Sequence, residues 1–553
     1  MKREARAETA MPFASGVEHR TSAGALVRAL IGLAILLAAL ALPERPGIVE
    51  WGRVPVEWFW AAGLLALLRG RAFALFAALL LALAAAVAVL KLADWGTLLA
   101  FSRPFDPVTD GLIVAAGWQL LSGTLGPTAA ALAVGGALLA FLLALAFAAW
   151  GLTGLRRLGR RTRASLGFGG IGLGVAASAL LLAAPAGATR WPFSAALEPY
   201  LAAKTSDVRR SLAAQAAFAD ELGDDPLQDR PPAGLLSALS GHDVLVLFVE
   251  SYGRSVVEAP DYAGPTLRRL QTVEAELTEA GIGARSGWMS SPVSGGQSWL
   301  AHGTLLSGLW VDNQARYAGL IGSRRDSLNQ LFRSAGWRTV AAMPAITMPW
   351  PEARWFGYDE VLAARELDYR GPPFNWVTMP DQFTLRRIGD VMAASREPVM
   401  IEAALISSHA PWTPVPRMVP WEAVGDGRIF DAQARSGETP DVLWRDPAKV
   451  RRNYALTIDY ALEAVGSFMA RFGRGAVAVV LGDHQPAEIV TGPGASRDVP
   501  FHILSADPAV LRRVDGWGLS AGMVPEAGGP SFPMSEFRER FVRAMSQRAD
   551  GAS

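Results

Sequence analysis

The sequence predicts two unlike parts. An α-helical membrane domain with five transmembrane helices comes first, and an α/β domain with a helix-flanked, mostly parallel sheet follows it. Mean hydropathy is +0.23 although 19% of the 553 residues are charged, which indicates an apolar part averaged with a soluble one. Long apolar segments fill the first 186 residues, whereas short β-branched runs alternate with amphipathic stretches from about Gly234 onward.

The composition excludes several classes of function. A net charge of +1 gives no reason to expect a nucleic-acid partner. The chain contains no cysteine, so disulfides, thiolate metal sites and a cysteine nucleophile are all excluded. The first apolar run begins near Leu26 without a clear cleavage site after it, so we expect no cleavable signal peptide.

Five apolar segments have a length close to that of a transmembrane helix. They are residues 26–42, 52–68, 72–90, 127–150 and 166–185. The second has the shortest uninterrupted apolar core, because Arg53 and Glu57 lie near its start. The 111–123 stretch is too short to span, and we expect it to lie in the interface or to re-enter the membrane with Trp118 as an anchor.

Basic residues in the loops predict the topology. Clusters lie in the N-terminal tail, at Arg69 and Arg71, and between Arg156 and Arg163. With five spans all of these clusters fall on one side, which the positive-inside rule assigns to the cytoplasm. The N-terminus is then cytoplasmic and everything after about residue 186 lies on the outer face. Four of the five spans carry no central Asp, Glu or Lys, which favours an anchor over a transporter.

The rest of the chain divides into a linker and a soluble domain. Residues 1–186 form the predicted tail and membrane domain, 187–231 an amphipathic connecting helix with a linker, and 232–553 the soluble domain. Five apolar runs in the last part read as strands buried on both faces, as in a parallel sheet covered by helices. These runs are 243–251, 338–345, 399–408, 476–483 and 499–505.

Polar residues follow several of these strands. Glu250 ends the first run, His409 follows the third, and the pair Asp483-His484 ends the fourth. His502 lies inside the last run. Ligands bind beyond the carboxyl ends of strands in open α/β sheets. Carboxylate and imidazole groups brought together there suit a divalent cation, either Zn²⁺, Mn²⁺ or Mg²⁺.

One further stretch carries hydroxyl groups. Residues 294–308 read SGGQSWLAHGTLLSG, and the glycine pair followed by Ser298 is typical of a turn that opens a helix. The amide groups and dipole of a helix N-terminus favour an anion, so Ser298 could attack a phosphate or sulfate ester. The same pattern is also typical of an ordinary helix N-cap, and this alternative stays open. Ser294 and Thr304 are expected to be structural.

Together these motifs carry a resemblance to a known family. The segments FVES, SGGQS, SSHAP and LGDHQP, in this order, resemble the alkaline phosphatase/sulfatase superfamily. With a five-span anchor, the architecture is similar to the lipoteichoic acid synthases and to the phosphoethanolamine and phosphoglycerol transferases. The resemblance implies one metal ion held by Glu250, Ser298, Asp483 and His484, with Ser298 as the nucleophile.

The resemblance also implies substrate contacts. His409 would contact the transferred phosphate, and Trp350 and Arg354 in MPWPEARWF would form the headgroup site. His502 would be a second substrate-contacting histidine. One residue departs from the pattern of the membrane transferases, which typically use Thr as the nucleophile where this chain has Ser298. Asp381 is expected to be structural.

The expected function is transfer of a phosphoglycerol or phosphoethanolamine headgroup. The donor would be a membrane phospholipid and the acceptor an envelope glycan or lipid, at a bacterial-type inner membrane with the catalytic domain on the periplasmic face. Two alternatives stay open: a phosphodiesterase or sulfatase-like hydrolase, and a catalytically silent envelope-assembly protein. The formylglycine type of sulfatase is disfavoured, because neither Pro nor Arg follows Ser298 in the required frame.

Overall fold

The computed structural model describes residues 15–45, 53–101, 103–111, 117–118, 121–122, 126–184, 192–228 and 234–546. The chain divides into two compact units. The first unit comprises Met1–Leu98 and Arg103–Leu212, and the second comprises Leu99–Ser102 and Ala213–Ser553. The domain boundaries expected at residues 186 and 231 stay predictions.

The first unit is helical. Its elements are α1 Ser15–Leu40, β1 Val54–Pro55, α2 Val56–Leu67, α3 Gly70–Phe101, α4 Pro127–Arg157, α5 Arg160–Leu182, β2 Phe193–Ser194 and α6 Glu198–Gly223, whose last turns belong to the second unit. The two short strands pair in parallel, with Val54 opposite Phe193.

Among the described residues, four helices are long and apolar enough to cross a membrane, namely α1, α3, α4 and α5. The remaining predicted span, residues 52–68, contains helix α2, which has only 12 residues. At 1.5 Å per residue it is about 18 Å long, well short of a hydrocarbon core of about 30 Å. Pro55 before the helix and Leu68 after it both have an extended backbone. The helix therefore ends at Leu67 and is shorter than the apolar segment that contains it. Five spanning helices are therefore not confirmed, and the orientation of the N-terminus stays a prediction.

Glycines set the closest helix contacts of this unit. A Cβ atom added to Gly32 of α1 would lie 2.5 Å from the Leu152 nitrogen of α4, and one added to Gly63 of α2 would lie 2.9 Å from the Ile171 nitrogen of α5. Small residues of this kind allow helix backbones in membranes to pack closely. The 111–123 stretch, which was expected at the interface, falls mostly outside the described residues.

Helix α3 continues past the predicted 72–90 segment and carries two buried charged groups, Lys91 and Asp94. The Asp94 carboxylate lies 2.5 Å from the Lys204 ammonium and accepts a 2.7 Å hydrogen bond from the Tyr200 hydroxyl. Both partners lie on α6. Because a buried charge is costly unless it is paired, these contacts fix the start of α6 against α3.

The second unit is built on a sheet. Within the described residues the sheet has nine strands: β3 Asp243–Val249, β4 Gly283–Ser290, β5 Arg338–Met343, β6 Glu360–Ala363, β7 Val399–Leu405, β8 Ala476–Gly482, β9 Asp498–Ser505, β10 Ser520–Ala521 and β11 Ser531–Pro533. The strand order is β10-β4-β9-β8-β3-β7-β5-β6, and β11 also pairs with β4.

The strand directions correct the predicted sheet. Strands β8, β3, β7, β5 and β6 run parallel to one another. Strand β9 is antiparallel to both β8 and β4, and β10 is antiparallel to β4. The sheet is therefore mixed, because the strand direction alternates from β8 through β9 and β4 to β10.

Helices cover both faces of this sheet. They are α7 Arg254–Glu258, α8 Ala263–Glu279, α9 Ser298–Ser307, α10 Gln314–Ile321, α11 Leu328–Ser334, α12 Ala353–Phe356, α13 Asp381–Ala394, α14 Asp431–Ala434, α15 Pro440–Leu443, α16 Pro447–Phe472, α17 Glu488–Thr491, α18 Pro508–Arg512 and α19 Phe537–Met545. Alternate residues of β3 enter two different cores: Leu245 and Leu247 one, Val246 and Phe248 the other. Burial on both faces explains the unbroken apolar run of this strand.

The register of the central strands positions the polar strand ends. Val249 of β3 lies opposite Gly482 of β8 and also opposite Leu405 of β7. The next residues along β3 and β8, Glu250 and Asp483, therefore leave the sheet side by side. A Cβ atom at Gly482 would lie 1.9 Å from the carbonyl oxygen of Tyr252, so only glycine permits this approach.

Candidate metal and nucleophile site

Four of the residues singled out in the sequence come together at this sheet edge. The Ser298 Oγ atom lies 3.2 Å from Glu250 Oε2 and 3.2 Å from His484 Nε2. His484 Nε2 lies 3.4 Å from Glu250 Oε1 and 3.6 Å from Asp483 Oδ2. We call Glu250, Ser298, Asp483 and His484 the Glu250 cluster.

Local hydrogen bonds fix the two carboxylates of the Glu250 cluster. Glu250 Oε1 accepts a 2.8 Å bond from the Ser251 hydroxyl. Asp483 Oδ1 accepts bonds from the backbone amides of Ser251 and His484, at 2.8 and 2.7 Å. The second oxygen of each carboxylate, Glu250 Oε2 and Asp483 Oδ2, is left on the side of His484 and Ser298. Each carboxylate therefore has a fixed orientation and an oxygen directed at the shared centre.

The ring of His484 is oriented by a carbonyl group. Its Nδ1 atom lies 2.8 Å from the carbonyl oxygen of Gln485. Because a carbonyl oxygen only accepts hydrogen bonds, Nδ1 carries a proton, which in the neutral form of the ring leaves the Nε2 lone pair facing Ser298 and Glu250. This is the tautomer that a metal-binding histidine requires.

The electrostatics of the cluster are those of buried, crowded charge. Burial raises the pKa of the Asp483 carboxyl, and the nearby charge of Glu250 raises it further. Burial also acts to raise the pKa of Glu250, but the His484 and His409 rings outweigh it and hold that pKa below its usual range. Burial lowers the pKa of His484, yet the carboxylates of Asp483 and Glu250 raise it on balance. Two buried carboxylates beside one imidazole leave an excess of negative charge.

Ser298 is the first residue of α9, and it does not cap the helix. The N-cap is Gln297, which has a left-handed backbone with φ of 67° and whose side chain makes no capping hydrogen bond. The preceding Gly295 and Gly296 also have positive φ angles, of 79° and 149°. The turn places the Ser298 hydroxyl on the Glu250 cluster at the positive end of the helix dipole, where an anion is favoured.

His409 lies beside the cluster, at the end of β7. Its charge is close enough to lower the pKa of the Glu250 carboxyl. Its Nδ1 atom lies 2.5 Å from the Ala410 carbonyl oxygen, and its ring stacks on that of Trp376 with centroids 4.4 Å apart. The neighbouring Ser408 hydroxyl donates a 2.6 Å bond to the Glu250 carbonyl oxygen. These contacts hold the imidazole at the edge of the cluster.

The remaining predicted substrate residues are not gathered into the cluster. Trp350 packs against Phe356 and Tyr358, with ring centroids 5.3 and 5.9 Å apart. Arg354 lies on α12 and is exposed. Within the described residues the structure gives neither of them a direct contact with Ser298 or Glu250.

His502 occupies a different environment from the one expected. Its side chain is fully buried in β9, where Nδ1 lies 2.7 Å from the Ser286 hydroxyl and Nε2 lies 3.2 Å from the Tyr252 hydroxyl. Burial lowers the pKa of this imidazole to about 3. Both ring nitrogens are thus engaged within the core, so the geometry gives His502 no substrate contact.

Sequence reasoning missed three buried polar residues near the nucleophile. Both polar atoms of the Gln297 amide lack a hydrogen-bond partner in the described part of the chain. His302 lies one turn after Ser298 on α9, and its Nδ1 atom is 2.6 Å from Oε1 of Glu402, a fully buried carboxylate in β7. An acidic residue in the middle of an apolar strand, as in VMIEAAL, was the signal that could have indicated it.

The donor set of the Glu250 cluster fits one divalent cation. Ligand atoms of Glu250, Asp483 and His484 lie within 4.8 Å of one another, and among the described residues theirs is the one such group of three. Two carboxylates, an imidazole and a hydroxyl are the oxygen and nitrogen ligands that Zn²⁺ accepts, and Mn²⁺ is compatible with them. The excess negative charge also favours a cation at this position.

No protein-family model matches the chain, and no curated protein sequence does either. The chain is similar to solved structures at low identity, among them three that differ in how much of the chain they cover. With the lipooligosaccharide phosphoethanolamine transferase A (EptA) of Neisseria meningitidis it shares 13% identity over 89% of this chain and 87% of that one, with a TM-score of 0.44.

The other two structures cover less of the chain. The lipoteichoic acid synthase LtaP of Listeria monocytogenes is 12% identical over 61% of this chain and 79% of its own, with a TM-score of 0.36. The C-terminal periplasmic domain of EcEptC from Escherichia coli, in complex with Zn, is 14% identical over 57% and 84%, with a TM-score of 0.39. EptA and LtaP carry the names of a phosphoethanolamine transferase and a lipoteichoic acid synthase, which are classes that the sequence motifs resemble. At these identities and scores the likeness carries no inference about activity.

Proposed function

We propose that this chain is a metal-dependent transferase. It moves a phosphoglycerol or phosphoethanolamine headgroup from a membrane phospholipid to an envelope glycan or lipid, with the second unit on the periplasmic face of a bacterial inner membrane. One observation carries the proposal: the hydroxyl of the first residue of a helix, Ser298, lies 3.2 Å from both a carboxylate and an imidazole of a buried, cation-suited cluster.

The residues of the Glu250 cluster support this chemistry. Glu250, Asp483, His484 and Ser298 would hold a divalent cation, which when bound makes a serine hydroxyl much easier to ionise and offsets negative charge on a phosphate. The Ser251 hydroxyl and the amides of Ser251 and His484 keep the carboxylates in place. The Gln485 carbonyl keeps the proton of His484 on Nδ1, away from Ser298.

The reaction has two balanced halves. The Ser298 hydroxyl releases its proton to solvent as its oxygen forms a bond to the phosphorus of the donor. The bond from phosphorus to the diacylglycerol oxygen breaks with its electron pair on that oxygen, which takes a proton from solvent. An acceptor hydroxyl then releases its proton to solvent and bonds to the phosphorus, while the bond from phosphorus to the Ser298 oxygen breaks and that oxygen takes back a proton. His409, whose ring is near enough to affect the Glu250 carboxyl, would contact the non-bridging oxygens and offset their negative charge.

Replacing the nucleophile tests the proposal. Ser298→Ala in the full-length protein should lower headgroup release from labelled phosphatidylglycerol or phosphatidylethanolamine by about 10³-fold or more, because it removes the attacking oxygen. The nearby Ser251 hydroxyl donates a hydrogen bond to Glu250 and does not contact His484 in the way that Ser298 does. Mass spectrometry of the wild type after incubation with lipid should show an adduct on the peptide that contains Ser298, and the adduct mass identifies the donor headgroup.

Ser294→Ala is the matched control, since Ser294 lies in the same turn and contacts Gln485 through its backbone. This variant should keep its activity. Headgroup release that persists in Ser298→Ala would overturn the assignment of the nucleophile. Release of free headgroup without any transfer to a supplied glycan or lipid acceptor would instead indicate the hydrolase.

A further inference from the structure

A second buried polar cluster lies beneath the nucleophile helix. The Glu402 side chain of β7 is completely buried. Its Oε1 atom lies 2.6 Å from His302 Nδ1, and its Oε2 atom accepts a 3.1 Å bond from Asn329 Nδ2 and another from the Tyr358 hydroxyl. We call Glu402, His302, Asn329 and Tyr358 the Glu402 cluster.

The position of Glu402 needs an explanation. It lies opposite Val246 of β3 and Ala341 of β5, in the middle of parallel strands where apolar side chains fill both faces. A buried carboxylate at such a place is costly, and an apolar residue of similar volume would often be at least as stable. Stability alone therefore does not account for a carboxylate here, although its three donors offset much of the cost.

The donors come from segments that lead to different parts of the site. His302 lies one helical turn after Ser298 on α9, and residues four apart share a helix face. Its ring also stacks on Phe248, with centroids 3.7 Å apart, two residues before Glu250 on β3. His302 thus connects Glu402 to the helix that carries the nucleophile.

Tyr358 connects Glu402 to the loop of the expected headgroup site. Its ring stacks on Phe356 and contacts Trp350, with centroids 5.8 and 5.9 Å apart. Asn329 belongs to α11, whose N-cap residue Ser327 donates a hydrogen bond to the Phe356 carbonyl oxygen at 2.6 Å. Residues 350–358, which we call the Trp350 loop, are therefore joined to Glu402 through two routes.

We propose that Glu402 is a positioning residue that couples the Trp350 loop to the nucleophile helix α9. A donor headgroup bound at the Trp350 loop acts through the hydrogen bond that Tyr358 already donates to Glu402. Glu402 in turn fixes His302, and with it the orientation of the first turn of α9 that presents Ser298. The proposal rests on the proposed function, since it assigns the headgroup of that reaction to the Trp350 loop.

A double-mutant cycle tests the coupling. Tyr358→Phe removes only the hydroxyl, and His302→Phe keeps a ring on Phe248 but removes the donor to Glu402. Each should lower kcat by about ten- to a hundredfold, and the double variant should lose little more than either single variant, because both act through one carboxylate. His302→Asn, which can still donate to Glu402, should recover most of the lost kcat.

A purely structural role predicts a different result. The variants would then lower the melting temperature while leaving kcat per folded molecule unchanged, or their effects on kcat would multiply. Either outcome overturns the proposal. Glu274→Gln is the matched control for a carboxylate that accepts a bond in this unit, from the Met523 amide at 2.8 Å, and it should leave kcat unchanged.

Hydrogen exchange separates this proposal from the proposed function, because it needs no turnover. In the full-length protein with Zn²⁺ present, Tyr358→Phe should speed amide exchange in residues 298–303, and His302→Phe should speed it in the Trp350 loop. This reciprocity is required of coupled sites. If each variant speeds amide exchange in the other segment but the protein has no transferase activity, the proposed function is wrong and the coupling through Glu402 still holds. Exchange changes confined to the mutated segment would sink the coupling, whatever the activity.

Discussion

The Glu250 cluster and the Glu402 cluster are built from the same kinds of side chain but are balanced differently. Each combines carboxylate and imidazole groups, buried on the same sheet. Glu402 is a single carboxylate whose oxygens receive three donors from the protein. Glu250 and Asp483 are two carboxylates that share one imidazole and direct oxygens at a common centre.

The difference indicates how a candidate metal site, the Glu250 cluster, can be distinguished from a polar cluster that is satisfied within the protein, the Glu402 cluster. A saturated carboxylate has no remaining need for a cation, whereas two partly satisfied carboxylates repel each other in a medium of low dielectric. Burial and then the charge of Glu250 raise the pKa of Asp483, whereas for Glu250 the effect of burial is outweighed by the His484 and His409 rings and the pKa is lowered. The number of donors on each carboxylate, rather than the residue types, separates the two clusters.

The largest expected difference between the two clusters is in the metal content of their variants. Asp483→Asn should remove nearly all bound metal, because it replaces a charged ligand in a four-residue set. Glu402→Gln should leave the metal content unchanged, since its carboxylate is saturated within the protein. Elemental analysis of both purified variants measures this, and equal metal loss in the two would contradict the distinction.

Stability without metal should change in opposite directions at the two clusters. In chelator-treated protein, Asp483→Asn removes a carboxylate whose pKa is raised by burial and by the charge of Glu250, and it should keep or raise the melting temperature. Glu402→Gln places an amide N–H group against the donors of His302, Asn329 and Tyr358. It should lower the free energy of unfolding by about 2–3 kcal/mol. Thermal unfolding followed by tryptophan fluorescence gives both values. A drop in melting temperature of the same size in both variants would show that the clusters are not differently balanced.

Asp381 offers a test of the same idea that depends on pH. Its Oδ1 atom accepts a 2.9 Å bond from the Ser407 amide, while its Oδ2 atom has no partner in the described ranges. Burial raises the pKa of this carboxyl to about 7. A raised carboxyl pKa means that the native state holds the proton more tightly, so stability is present in full below the unfolded pKa and is lost as the pH rises to 7.

Replacement by an amide should remove that dependence. Asp381→Asn should flatten the decline of stability between pH 4 and pH 7, by up to about 4 kcal/mol at the upper end. Melting temperatures across this range measure the slope in both proteins. Parallel curves for wild type and variant would show that the Asp381 carboxyl ionises as it does in the unfolded chain.

The meeting of the polar strand ends could be predicted, because the carboxyl ends of neighbouring parallel strands lie at the same edge of the sheet. Glu250 and Asp483-His484 were expected to meet on that ground, and the paired register of Val249 and Gly482 brings them together. The antiparallel direction of β9 could not be predicted in the same way. A strand buried on both faces has the same apolar composition in either direction, so VPFHILS does not reveal how it pairs.

Two other features needed the folded chain. The family resemblance led us to expect His502 at the site, but its register opposite Val480 and Ser286 places it within the core. Glu402 lies between partners that are 44 to 100 residues away in sequence, at Tyr358, Asn329 and His302. A pattern that depends on three such distant segments has no local signal beyond one acid in an apolar strand.

Gly482 has a consequence for the choice of ion. The width of the gap between the ends of β3 and β8 depends on the missing side chain at this position, since an added Cβ would lie 1.9 Å from the Tyr252 carbonyl oxygen. Divalent cations differ in radius and in the ligand distances they demand. Residue 482 is therefore a spacer outside the Glu250 cluster. A larger side chain there would change the spacing of the candidate ligands Glu250 and Asp483, on which the fit to a given ion depends.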